Sequence, residues 1–162
     1  MAKRKGEKGG AAEQPAPAVA ASPTAPQPSG PSTFAGVLGE VVSLLMAPAS
    51  HKHLFLTDLE WLVVPPLMLR QFRLWRQDDR PVAFASWAFL SEEAEARVLG
   101  GSRKLKPAEW KCGDRAWLMD VVAPSPESAK QMIEELKRGL FADRPLKAVQ
   151  SQADGKPGVV EF

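Results

Sequence analysis

The chain has 162 residues and a formal charge of +2, a length that fits one domain. Its single cysteine, Cys112, excludes an internal disulfide and any metal site built from clustered cysteines. Lys3, Arg4, Lys5 and Lys8, set against Glu7 and Glu13, carry the whole net charge before residue 33. The rest is neutral, which argues against nucleic-acid binding, since that would need a basic face.

Residues 1–32 read as a disordered Pro/Ala-rich tail. Six of the 15 prolines fall there, and no aromatic residue precedes Phe34. Such a segment buries too little apolar surface to offset the entropy of ordering. Its basic start runs into Gly, Glu and Pro instead of an apolar stretch, so no secretory signal is expected. No segment approaches the ~18 apolar residues of a membrane span. A soluble, cytoplasmic protein is the expectation.

From Phe34 to Met46 the apolar residues Val37, Leu38, Val41, Val42, Leu44 and Leu45 make a helical face, capped by Ser32 or Thr33 and ended at Ala47-Pro48. A polar stretch, Ser50-His51-Lys52-His53, follows. Thr57 to Val63 predicts a second short helix, stopped by Pro65-Pro66. Leu67 to Arg76 and Pro81 to Leu90 predict two strands joined by a turn at Gln77-Asp78-Asp79-Arg80. In the second strand Val82, Phe84, Ser86 and Ala88 share one face, and Ala83, Ala85, Trp87 and Phe89 the other. Ser91-Glu92-Glu93 opens a helix that ends at Gly100-Gly101. Pro107 to Asp114 is a loop, and residues 115–123 form a strand. Ser125-Pro126-Glu127 opens a long helix with Ile133, Leu136 and Leu140 on its apolar face. Leu146 to Gln150 and Val159 to Phe162 predict two last strands around Ala153-Asp154-Gly155-Lys156. The mixture gives an α/β (α+β) single domain over residues 33–162, a central sheet flanked by helices.

The chemistry centres on Asp120, which interrupts the apolar run Trp117-Leu118-Met119-Asp120-Val121-Val122-Ala123. An ionised carboxylate in a buried strand is costly unless paired or hydrogen-bonded. Backbone amides or Arg115 would satisfy it, or a histidine would use it. The chain has only His51 and His53, and in an extended segment both would point the same way. They read as two solvated loop side chains, as metal ligands lacking a third partner, or as a general base oriented by Asp120. Ser86 lies outside any Gly-x-Ser-x-Gly turn and reads as a small core or cleft residue. Cys112 shows no activating pattern. Walker and Gly-x-Gly-x-x-Gly loops are absent from the sequence.

Several segments together resemble one family. They are Leu38-Gly39-Glu40-Val41, the loop ending Ser50-His51-Lys52, Leu62-Val63-Val64-Pro65-Pro66, Pro81 through Ala88, Glu109 through Arg115, and Trp117 through Pro124. They look like the RTX toxin-activating lysine acyltransferases of the haemolysin-activating type. The resemblance implies a fold like that of the GCN5-related N-acetyltransferases. It implies a protein-lysine fatty acyltransferase that takes the acyl chain from acyl carrier protein, a phosphopantetheine thioester, with no permanently bound cofactor or metal. The second substrate would be a lysine-bearing protein, RTX-type or other, and a homodimer is compatible with such an enzyme. The family's catalytic pair falls on His51 and Asp120.

On that reading His51 takes a proton from the lysine amine, which is mostly protonated at neutral pH. An acyl-His51 intermediate is the alternative. Ser86, Trp87, Arg115 and Trp117 would contact substrate. Ala123, Pro124 and Ser125, before the helix N-terminus, would meet the phosphopantetheine arm. Ser125-Pro126 replaces the Phe-Gly usual in the family, and proline supplies no N–H there. A non-catalytic module binding carrier protein or a partner is the rival reading.

Overall fold

The computed structural model describes residues 33–151 and 157–162. The expected tail, 1–32, and the Ala153–Lys156 turn lie outside the described residues. Helix α1, Phe34–Leu45, starts where the Thr33 side chain accepts the Gly36 N–H. That bond satisfies a donor the helix itself cannot use. Val41 and Leu45 on its inner face are buried with Phe84 and Val122.

The prolines act differently from expectation. Leu59–Leu62 forms α2, and Val64–Leu69 forms α3 with Pro65 and Pro66 inside its first turn. N–H groups there have no intrahelical acceptor, so proline fits without loss and starts a helix instead of stopping one. The expected strand from Leu67 is therefore helix as far as Leu69. Arg70 turns the chain through a left-handed conformation (φ 55), and β1 begins only at Phe72.

Strands β1, Phe72–Gln77, and β2, Arg80–Leu90, form the expected hairpin. Asp78 and Asp79, between the paired Gln77 and Arg80, both have positive φ (48 and 63). Such a two-residue turn matches the twist of the strands. Helix α4, Glu92–Leu99, follows with Ser91 as its cap and Gly101 (φ 94) just past its end. A short turn at Pro107–Trp110 brings the chain back to β2. Strand β3, Arg115–Val122, leads into helix α5, Pro126–Leu140, and then β4, Leu146–Ser151, and β5, Pro157–Glu161.

The five strands lie in the order β1-β2-β3-β4-β5. Only β3 and β4 run parallel, joined through α5 as parallel neighbours must be. The architecture is α+β, with helices on both faces of the sheet. One face carries α5 on Ala85, Trp87, Ala116 and Leu118. The other carries α1 on Phe84 and Val122, and α4 on Ala88, Leu90 and Trp117. The alternation read for β2 thus separates these two cores.

Two irregularities in β3 position the site. First, Ser86 pairs with Asp120 but Trp87 pairs with Leu118, so Met119 is an extra residue, a β-bulge. Directly paired residues point to the same face. Without the bulge Asp120 would keep phase with Leu118 and face α5; with it, Asp120 faces the α1 side beside Ser86. Second, β4 pairs with β3 only from Ala116 to Leu118. Beyond that point the two strands part.

Candidate active site

His51 ends a single tight turn, Ala49–His51, and its N–H is tied to the Pro48 carbonyl. The loop is turned here and not extended, so the two histidines do not share an environment: His51 is largely enclosed, and His53 is exposed. His51 Nε2 lies 2.9 Å from Asp120 Oδ2, across 69 residues of sequence. Both side chains are nearly enclosed, at 13 % and 12 % exposure, which limits competition from water. The Asp120 hydrogen bond raises the His51 pKa; burial opposes the rise, the Asp120 charge adds to it, and the Arg103 charge opposes it. Net, imidazolium persists above the ordinary histidine value of 6.5.

The other ring nitrogen is also engaged. His51 Nδ1 lies 3.0 Å from Ser50 Oγ. Arg103 reaches the bulge from the loop after α4 and donates to the Met119 carbonyl, a backbone group that β4 leaves unpaired. Sequence reasoning missed both residues. A hydroxyl beside a histidine was the only signal for Ser50, and nothing marked Arg103.

Two cavities meet at Asp120. One, of about 170 Å³, is lined by Ser50, His51, Leu54, Trp61, Trp110 and Met119 among others. Its floor is held by Trp110 Nε1 donating to the Trp61 carbonyl. The second, of about 240 Å³, occupies the opening between the parted strands, where Leu118, Val121, Ile133, Val149 and Phe162 surround Asp120. Arg103 borders both.

The remaining sequence-named residues scatter. Ser86 is fully buried opposite Asp120, and its hydroxyl has no hydrogen-bond partner among the described residues. Trp87 faces α5, edge-on to Phe141. Arg115 does not reach Asp120; it sits at the other end of β3, paired with Glu92 at 3.2 Å and Glu95 at 3.0 Å. Trp117 is buried under α4 with its Nε1 donating to Glu95. Ser125 spends its hydroxyl capping α5, accepting the Ser128 N–H. With Pro126 lacking an N–H and Ala129 bonded to the Ser125 carbonyl, this helix end has few donors left for an anion. Among the described residues, no three His, Cys, Asp or Glu side chains cluster to hold a metal ion. No helix among them is long and apolar enough to cross a membrane.

An enclosed His–Asp pair beside an apolar cavity, on a bulged strand that parts from its neighbour, is an arrangement suited to acyl transfer. The sequence comparisons give the family. Residues 31–161 match the model of the HlyC, RTX toxin acyltransferase, family, and the chain belongs to that family. Among its relatives is the RTX-I toxin-activating lysine-acyltransferase ApxIC of Actinobacillus pleuropneumoniae, 32 % identical over 124 residues, covering 76 % of this chain and 71 % of the relative. The protein-lysine myristoyltransferase HlyC of Escherichia coli is 31 % identical over 114 residues, covering 70 % and 66 %. An uncharacterized protein of Synechocystis is 28 % identical over 122 residues, covering 74 % and 82 %.

Proposed function

We propose that this protein is a protein-lysine acyltransferase that moves a fatty acyl chain from acyl carrier protein to lysine ε-amines of a protoxin-like or other protein. The observation that carries the reading is the 2.9 Å contact between His51 and Asp120, two residues 69 apart that a bulge turns toward each other. His51 serves as general base, and Asp120 fixes its ring and stabilises the imidazolium. The relatives' names support lysine as acceptor and a toxin as one class of target.

The opening between β3 and β4 suits the donor. Backbone groups of both strands are unpaired with one another beyond Leu118 and Ala148. An extended phosphopantetheine arm can pair there as an added strand would. Its thioester would then lie by Asp120, and its phosphate would suit Arg103 better than the donor-poor start of α5. A fold like that of the GCN5-related N-acetyltransferases is part of this reading, as is a reaction in the cytoplasm with its carrier protein.

The test is co-expression with an unacylated RTX-type protein, followed by peptide mass spectrometry. Acyl-lysine is expected with the wild type and absent with His51→Ala or Asp120→Ala, each still folded by circular dichroism. Full acylation by both variants would refute the site assignment.

A further inference from the structure

The chemistry of the His51 contacts fixes their direction. An ionised Asp120 only accepts, so the neutral ring keeps its proton on Nε2. The lone pair then lies on Nδ1, and the Ser50 hydroxyl, 3.0 Å away, donates to it. Carboxylate, imidazole and hydroxyl form one hydrogen-bonded chain. A nucleophile within hydrogen-bond reach of a base that a third group orients is the arrangement of covalent catalysis. The ring is reversed relative to the common serine triad, whose aspartate holds Nδ1. The proton-accepting nitrogen nevertheless faces a hydroxyl.

A second observation is independent of that chain. Ser50 is exposed on its tight turn, yet it lines the same cavity as His51, together with Leu54, Trp61, Leu62 and Met119. An acyl group on Ser50 would place its first methylenes against those side chains. At about 170 Å³ the cavity is smaller than the roughly 300 Å³ at the low end of small-molecule pockets, so the rest of a long chain would lie outside it.

We propose that Ser50 is the acyl-accepting nucleophile of this site, an inference that rests on the acyltransferase reading above. His51 Nδ1 takes the Ser50 proton while Oγ attacks the thioester carbonyl carbon. The O–C bond forms, the C–S bond breaks, and the imidazolium returns its proton to the departing thiolate. A neutral lysine amine then attacks the Ser50 ester. The N–C bond forms, the C–O bond breaks, and His51 carries the proton from the amine to Ser50 Oγ. No further reactant is needed. Direct attack by lysine would first have to displace the Ser50 hydroxyl from Nδ1; attack by Ser50 needs no displacement.

The test uses the full chain with octanoyl- and myristoyl-acyl carrier protein and no lysine substrate, read by intact mass and peptide mapping. One acyl adduct is expected on Ser50, absent in Ser50→Ala and replaced by a thioester in Ser50→Cys. Ser50→Ala should also slow lysine acylation by about 10³-fold or more at an unchanged melting temperature. No adduct on the wild type, an adduct mapping to His51, or wild-type rates in Ser50→Ala would each overturn the proposal. If lysine acylation survives in that variant, the acyltransferase reading stands without Ser50. If the wild type acylates no lysine, both fall.

Discussion

Glu95 meets the Arg115 end of β3, and Asp120 leaves the half beyond the bulge. The two carboxylates are about equally enclosed, at 11 % and 12 % exposure, so burial does not distinguish them. Their partners do. Glu95 accepts from Trp117 Nε1 at 2.9 Å and pairs with Lys147 and Arg115, each at 3.0 Å. Burial pushes its pKa up, but the Lys147 and Trp117 hydrogen bonds and the Lys147 and Arg115 charges outweigh that and leave it below 4.5. Asp120 has a single side-chain partner among the described residues, His51, whose pKa is itself raised above 6.5 by that hydrogen bond. Three donors, from Trp117, Lys147 and Arg115, hold Glu95 as an anion. Asp120 instead holds one imidazole, the arrangement on which the proposed proton transfer rests.

The same division runs through the strand. From Ala116 to Leu118, β3 is paired on both sides; beyond Leu118 it loses β4, gains a bulge and opens into two cavities. Bulges re-aim side chains next to active sites, and this one turns Asp120 from the α5 face to the His51 face. One half serves as scaffold, and the other carries the candidate site.

The division can be broken at several points. The largest effect belongs to the site half. Asp120→Asn should lower acylation by about 10²–10⁴-fold with little change in melting temperature. The acid limb of the wild-type pH profile should lie above 6.5, because His51 must be neutral to accept a proton and Asp120 raises its pKa. In Asp120→Asn the residual activity should show that limb at lower pH. The pair's contribution to stability runs the opposite way: it is full below 6.5 and lost as pH rises through the raised value. Glu95, with its pKa lowered, stabilises above 4.5 and loses that contribution as pH falls through its folded value.

In the scaffold half, Gly113→Ala should have the largest effect. A Cβ there would lie 2.2 Å from the Leu90 carbonyl oxygen and 2.6 Å from the Ser91 nitrogen, both backbone atoms. The loss should reach or exceed the top of the ~1–3 kcal/mol range of overpacking, read as a lowered urea midpoint. Glu95→Ala should be milder, about 1–3 kcal/mol from the buried Trp117 N–H left without its acceptor. Acylation per folded molecule should be unchanged. A large fall in turnover for Glu95→Ala at full folding would erase the distinction between the halves. The smallest effect on turnover at saturating donor is expected from Arg103→Gln, whose lost phosphate contact should read instead as a higher KM for acyl-acyl carrier protein. The substitution also removes a positive charge that lowers the His51 pKa, so the acid limb should move to slightly higher pH.

Much of this was legible in the residues, in proportion to how local the cause was. The caps at Thr33, Ser91 and Ser125 and the Asp78-Asp79 turn depend on neighbours within a few positions, and they lie where the sequence placed them. Pro65 and Pro66 misled because a proline at the start of a helix and one after its end look alike without the helix axis. Asp120 stood out by its desolvation cost. Its pairing with His51 was not in the alternation, since perfect alternation from Leu118 aims it at α5. Trp117 and Arg115 shared its strand, yet they serve the Glu95 cluster at the other end.

The central claim is that His51 and Asp120 act as one unit. A double-mutant cycle on lysine acylation, with His51→Ala, Asp120→Ala and the double variant, tests it most directly. The pair predicts a double variant no slower than the worse single one. Multiplied losses, as for independent sites, would contradict it.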